Sequence, residues 1–146
     1  MYEDALARVD LFSSLRKKEL QEVAKSCREG QYSPGSVLIT QGEKGIGLFI
    51  LTKGTVRITR ANSPGGAEEE LGTAGAGDVI GELALLDDMP RSATVTAVDE
   101  VTVLVLPVWE FRIIMGRVLR SDPDVGLDMM AVLSRRLRKA ENRAYE

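Results

Sequence analysis

The chain has 146 residues, 44% of them hydrophobic and 28% charged, which suits one globular domain with its own core. Its net charge of −3 and pI of about 5.2 give the chain as a whole no electrostatic footprint for nucleic acid. It holds no histidine and one cysteine, which excludes His-based triads, HExxH zinc sites, imidazole acid–base chemistry and an internal disulfide.

The N-terminal MYEDALARVD does not read as a signal peptide, and no apolar run approaches the ~20 residues that span a bilayer. With the lone Cys27 this points to a cytoplasmic protein. Residues 1–29 read as helical: Leu15, Leu20, Val23, Ala24 and Cys27 recur at spacings of three to five, with Ser13 or Ser14 as the cap. Gly30 and then Ser33-Pro34-Gly35 end the helix and begin a turn, closing an N-terminal segment at residue 35.

From 36 to 106 the texture is short strands broken by glycine. SVLIT (36–40), GLFIL (47–51) and TVRITR (55–60) come first, the last alternating strictly with Val56 and Ile58 on one face. Lys53-Gly54 reads as a tight hairpin and residues 62–66, NSPGG, as a longer turn. EEEL then leads into GTAGAGDV, with residues 68–70 expected as a solvated edge. ATVTAV (93–98) and VTVLVL (101–106) read as a hairpin joined at Asp99-Glu100. Strands at this spacing indicate a small barrel or jelly roll rather than βαβ units.

Helical texture returns at Pro107, where Phe111, Ile114 and Met115 share a face. Asp122-Pro123 reads as the start of a last helix, along which Met130, Leu133, Leu137, Ala140 and Ala144 step 3, 4, 3, 4 as a heptad seam. The Met129-Met130 pair reads as ordinary helix packing, and Arg135, Arg136, Arg138 and Lys139 as a basic cluster near the helix C-terminus.

One stretch carries the chemistry: GELALLDDMPRSATV, residues 81–95. Gly81 permits a tight turn out of a strand ending at Ile80, and the next five residues are good formers of a short helix. Such a helix points amide N–H groups at whatever precedes it. Pro90 stops the turn and sets the entry of Arg91, whose planar cation suits phosphate oxygens. Glu82 accepts hydrogen bonds only, which suits a hydroxyl such as that of a ribose. Donors for an anion plus one carboxylate acceptor match a sugar phosphate. The bland alternatives are a solvated charge pair on a connecting loop, with Glu82 capping its own helix. A dinucleotide loop at GTAGAG (72–77) is disfavoured because no long helix and no Lys-Ser/Thr pair follows it.

Residues 81–95 resemble the phosphate-binding cassette of the cyclic nucleotide-binding domain family, which includes the bacterial catabolite activator, regulatory subunits of cAMP-dependent kinase and nucleotide-gated channels. Gly54, the Gly77-Asp78 entry and the helix–barrel–helix order fit as well. The resemblance implies one mainly β domain over 1–146: a jelly-roll-like barrel (36–106) with an N-terminal helical segment and two C-terminal helices (107–146) acting as lid and dimerisation element. It implies that Gly81 shapes the cassette, that Glu82 binds the ribose 2′-hydroxyl and that Arg91 binds an exocyclic phosphate oxygen. Ser92 adds a hydroxyl, the amides of Leu83, Ala84 and Ala93 complete the cradle, and Ile58, Leu71 and Ala74 form an apolar wall. Arg136 leans toward the pocket.

The regulatory ligand implied is cAMP, or else cGMP, with no cofactor or metal and no catalysis. A partner is expected through the last helix, as a homodimer or an effector domain, with no membrane and no nucleic acid contacted by this stretch. Where the catabolite activator has hydroxyl residues that meet the base, this chain has Lys139-Ala140-Glu141, so that base contact is absent or different. A degenerate domain kept for dimerisation is the competing reading.

Overall fold

The computed structural model describes residues 2–87 and 89–144, the side chains of Arg143 and Ala144 excepted. Asp88 of the cassette and the Ala144 side chain of the seam therefore lie outside the described residues. The chain divides into two compact units, residues 26–110 and residues 1–25 with 111–146.

The first unit contains eight strands in two four-stranded antiparallel sheets. The strands are β1 (Arg28–Tyr32), β2 (Val37–Ile39), β3 (Gly47–Lys53), β4 (Val56–Ala61), β5 (Glu68–Ala74), β6 (Val79–Ile80), β7 (Thr94–Ala97) and β8 (Val101–Pro107). One sheet has the order β1-β8-β3-β6 and the other β2-β7-β4-β5, the jelly-roll order expected. Each sheet turns alternate residues inward. Phe49, Leu51, Val101 and Val103 of one thus form a core with Ile39, Val56, Val95 and Ala97 of the other.

Two turns behave differently from their sequence reading. Lys53-Gly54 and Asp99-Glu100 are not hairpins: β3 and β4 lie in different sheets, as do β7 and β8. Both are corners at which the chain changes sheet, and they are bolted together. The Thr55 amide donates to Asp99 Oδ1 at 2.7 Å, and the Val98 amide to the Thr55 carbonyl at 2.9 Å. Gly54 has φ +91°, and a Cβ there would collide with the Glu100 carbonyl. A turn signal gives the chain's local bend, whereas the sheet that a strand joins depends on distant partners. The 62–66 turn is a true hairpin joining β4 to β5, and residues 68–70 form an exposed edge strand.

The sequence reading puts residues 28–29 at the end of a helix and 30–35 at its close and the turn after it, whereas residues 28–32 form β1. Helix α2 (Lys17–Ser26) ends earlier, and residues 28–32 pair antiparallel with β8, Gly30 facing Val103. REGQY carries no apolar alternation because β1 is an edge strand, mostly exposed. The barrel strands therefore begin at 28, not 36. Neither serine caps α2; the Arg16 amide is capped by Glu19 Oε1 at 2.9 Å.

The second unit holds α1 (Glu3–Ala7), a 3-10 turn (Asp10–Phe12), α2, most of α3 (Val108–Ser121), and α4 (Asp124–Ala144). Its core includes Leu6, Leu11, Phe12, Val23, Phe111, Ile114, Met115, Val125 and Met129. The Phe12 and Phe111 rings stack at 5.9 Å between centroids. Both last helices start one residue later than expected, with Pro107 closing β8 and Pro123 preceding α4. Met129 is buried while Met130 is 59% exposed, so that pair divides between core and surface. Cys27, in the strand-rich unit, is buried; desolvation, then the nearby Glu110 charge, pushes its thiol up to about 12, which keeps it protonated and inert.

Candidate phosphate-binding site

The site is built on the connection between β6 and β7. Strand β6 pairs with β3, Ile80 opposite Phe49, which fixes where the chain leaves the sheet. Gly81 then takes φ +80°, the left-handed conformation that glycine adopts without cost, and starts a 3-10 turn over Glu82–Leu85. The apolar anchor of that turn is Leu85, 1% exposed.

The other half of the connection is held by the 42–47 loop. The Arg91 amide donates to the Glu43 carbonyl at 2.8 Å, the Gly42 amide donates to the Arg91 carbonyl at 2.9 Å, and Lys44 bridges Pro90. Arg91 thus has a fixed backbone although it lies outside any strand. Its side chain runs back across the turn. Nη2 donates to the Gly47 carbonyl at 2.5 Å, and the guanidinium carbon lies 6.0 Å from the centre of the Phe49 ring.

Two glycines make room for it. A Cβ on Gly81 would collide with the guanidinium, and one on Gly45 would sit 2.7 Å from Arg91 Nε and 2.9 Å from the Ala84 Cβ. Gly81 is needed twice, for its backbone angle and for the close approach. Half-buried, Arg91 loses hydration, which lowers its pKa from the ordinary value; a guanidinium remains charged at neutral pH. Only one of its five N–H donors is engaged by Gly47. A cavity of about 90 Å³ opens beside it, lined in part by Glu43, Lys44, Ile46 and Phe49.

The other residues expected at the site fall as follows. Glu82 is half-buried at the head of the turn, its Oε2 shielded from solvent. Leu83 is 52% exposed and Ser92 exposed, while Ala84 and Ala93 are half-buried. The Ala84 amide closes the turn onto the Gly81 carbonyl at 3.1 Å. Ile58 and Ala74 face inward in neighbouring cross-strand rows, against the core. Leu71 stands apart, exposed in a bulge between the Ile58–Gly72 and Thr59–Glu70 pairs. Arg136 belongs to the helical unit, where its Nη2 donates to Asp10 Oδ2 at 3.1 Å.

Sequence reasoning missed the arginine's own surroundings: Gly45, Gly47 and Phe49. The signal was present as GEKGIG at 42–47, three glycines within six residues just ahead of a strand. That spacing exceeds the needs of a single turn and marks close backbone approach.

The site thus joins a glycine-cradled guanidinium and a half-buried carboxylate on one short connection of a jelly roll. The sequence matches the model of the cyclic nucleotide-binding domain over residues 29–117, and the chain belongs to that family. It is 39% identical over 97 residues to a cAMP-dependent protein kinase regulatory subunit of Mycosarcoma maydis, covering 66% of this chain and 18% of that one. It is 34% identical over 131 residues to the cyclic AMP receptor protein of Thermus thermophilus, covering 90% of this chain and 58% of the relative. Among solved structures, the N-terminal domain of a transcriptional regulator from Streptomyces coelicolor A3(2) superposes with a TM-score of 0.79 at 34% identity, over 97% of this chain and 95% of that one. The chain thus spans between 18% and 58% of the length of these curated relatives. No helix among the described residues is long and apolar enough to cross a membrane.

Proposed function

We propose that the chain is a regulatory module that binds cAMP at the 81–95 cassette and passes occupancy on through its C-terminal helices. The observation that carries this reading is the Arg91 guanidinium lodged against Gly81, one residue from the half-buried Glu82. A fixed cation beside a hydrogen-bond acceptor is the pair that a cyclic phosphate fused to a ribose requires. In this reading Arg91 takes an exocyclic phosphate oxygen, Glu82 takes the ribose 2′-hydroxyl, and Ser92 with the amides of Leu83 and Ala93 supplies further donors. Ile58 and Ala74 supply apolar surface for the sugar and base. The ligand acts as a regulatory ligand, not a cofactor, and is not consumed. Two named relatives, a cAMP-dependent kinase subunit and a cyclic AMP receptor protein, favour cAMP over cGMP.

The test is thermal. At a hundredfold excess over Kd a ligand adds ~2.7 kcal/mol of stability. For a chain of this size each kcal/mol moves Tm by ~2–4 °C, so cAMP raises it by about 5–10 °C. Chromatography of the ligand afterwards finds it chemically intact. No shift with cAMP or cGMP at millimolar concentration overturns the reading.

A second part of the proposal concerns α4. Leu127, Met130 and Leu137 are about three-fifths exposed, on the side of the helix away from Val125, Met129 and Val132. We assign the seam Met130, Leu133, Leu137 and Ala140 to contact with a second copy of the chain. Sedimentation equilibrium is expected to show a concentration-dependent dimer that Leu137→Glu converts to monomer. A wild-type monomer at high concentration removes the seam's role.

A further inference from the structure

Helix α4 buries Val125, Met129 and Val132, a 4,3 spacing that defines its packed face. Continued by the same step, that face reaches Arg136 and Lys139, with Arg135 beside them. Where the pattern calls for apolar residues the chain places cations. With Val132 they line a cleft of about 290 Å³ whose other wall is Asp10 and Ser13, around the N-terminal 3-10 turn. Asp10, held by Arg136 at 3.1 Å, is the one carboxylate among the described residues of that lining, beside Arg135, Arg136 and Lys139. Arg135 and Lys139 stand one helical turn apart, where like charges repel unless something lies between them.

The charge distribution over the whole chain points the same way. The helical unit carries 13 Lys and Arg against 10 Asp and Glu, a net of +3, and residues 26–110 carry 6 against 12, a net of −6. An acidic protein has gathered its excess cations on one unit and turned three of them into one concavity. Two guanidinium forks and an ammonium recognise a tetrahedral oxyanion, and the Ser13 hydroxyl adds a donor. The volume lies just below the range of drug-sized ligand sites, about 300–1,000 Å³, which suits a smaller ligand.

We propose that this cleft binds a small phosphate-type oxyanion, through residues other than those of the cassette. The anion shares Arg136 with Asp10 and relieves the repulsion between Arg135 and Lys139. The full chain is titrated calorimetrically with pyrophosphate and with inorganic phosphate at constant ionic strength, against chloride as baseline and polyglutamate as an acidic polymer. Saturable binding of pyrophosphate is expected, weakened about tenfold or more in Arg135→Gln/Lys139→Gln. Both substituted side chains are exposed, so the double variant keeps its fold. Asp10→Asn removes the competing carboxylate and is expected to tighten binding, a direction that a misfolded protein does not mimic. The proposal is overturned by heats no larger than those of chloride, by undiminished binding in the double variant, which places the anion elsewhere, or by saturation with polyglutamate alone.

Discussion

Arg91→Ala is expected to weaken cAMP binding by about 30- to several-thousand-fold, because truncating one partner of a buried charge pair costs ~2–5 kcal/mol. Arg91→Lys keeps the charge and loses the planar fork, and it is expected to recover only part of the loss. Glu82→Ala fails in another way. It removes an acceptor for one hydroxyl, a charge-assisted bond worth ~1.5–3 kcal/mol. Titration with 2′-deoxy cAMP separates the two roles. The wild type prefers the ribose form, Glu82→Ala loses most of that preference, and Arg91→Lys keeps it. Wild-type affinity for cAMP in both variants places the ligand elsewhere.

Gly81→Val is expected to weaken binding as much as Arg91→Ala while leaving every charge in the cassette intact. Gly81 sits at φ +80°, which a β-branched residue adopts only at a cost of ~1–3 kcal/mol. Its side chain also enters the volume of the Arg91 guanidinium, which must swing off Phe49 and the Gly47 carbonyl. The two substitutions act through one contact, so their effects on affinity do not add: Gly81→Val/Arg91→Ala binds no worse than Arg91→Ala alone. Calorimetric affinities for the wild type, both singles and the double close that cycle. Full additivity means that Gly81 and Arg91 act independently, against the geometry of the turn. Stability is measured alongside, since the backbone strain lowers Tm whether or not ligand is present.

The cassette was legible in sequence because its chemistry is local. Gly81, Glu82, Pro90 and Arg91 lie within eleven consecutive residues, and a backbone angle, a stop and two charges are all properties of short spacing. What surrounds Arg91 was not legible to the same degree. Gly45, Gly47 and Phe49 precede it by more than forty residues, and only the pairing of β3 with β6 and the hold of residues 42–44 on 90–91 bring them under the guanidinium. Leu71, placed with Ile58 and Ala74 by resemblance, differs from them in its setting, because the bulge opposite Ile58 and Thr59 leaves it exposed.

The sequence by itself determined the mainly β middle between helical ends, through alternation in TVRITR, short apolar runs such as VTVLVL between turns, and the 3,4 periodicity of the last helix. It also determined what the chemistry excludes, through the absence of histidine. Only the tertiary structure decided that residues 28–32 form a strand, because an exposed edge needs a neighbour's hydrogen bonds rather than an apolar pattern. Only it decided that Lys53-Gly54 and Asp99-Glu100 carry the chain between sheets. A glycine turn has the same local energy whichever sheet receives the next strand. The choice is made by burial of Phe49, Leu51, Val101 and Val103 against Val56, Val95 and Ala97, an interaction between residues far apart in the chain.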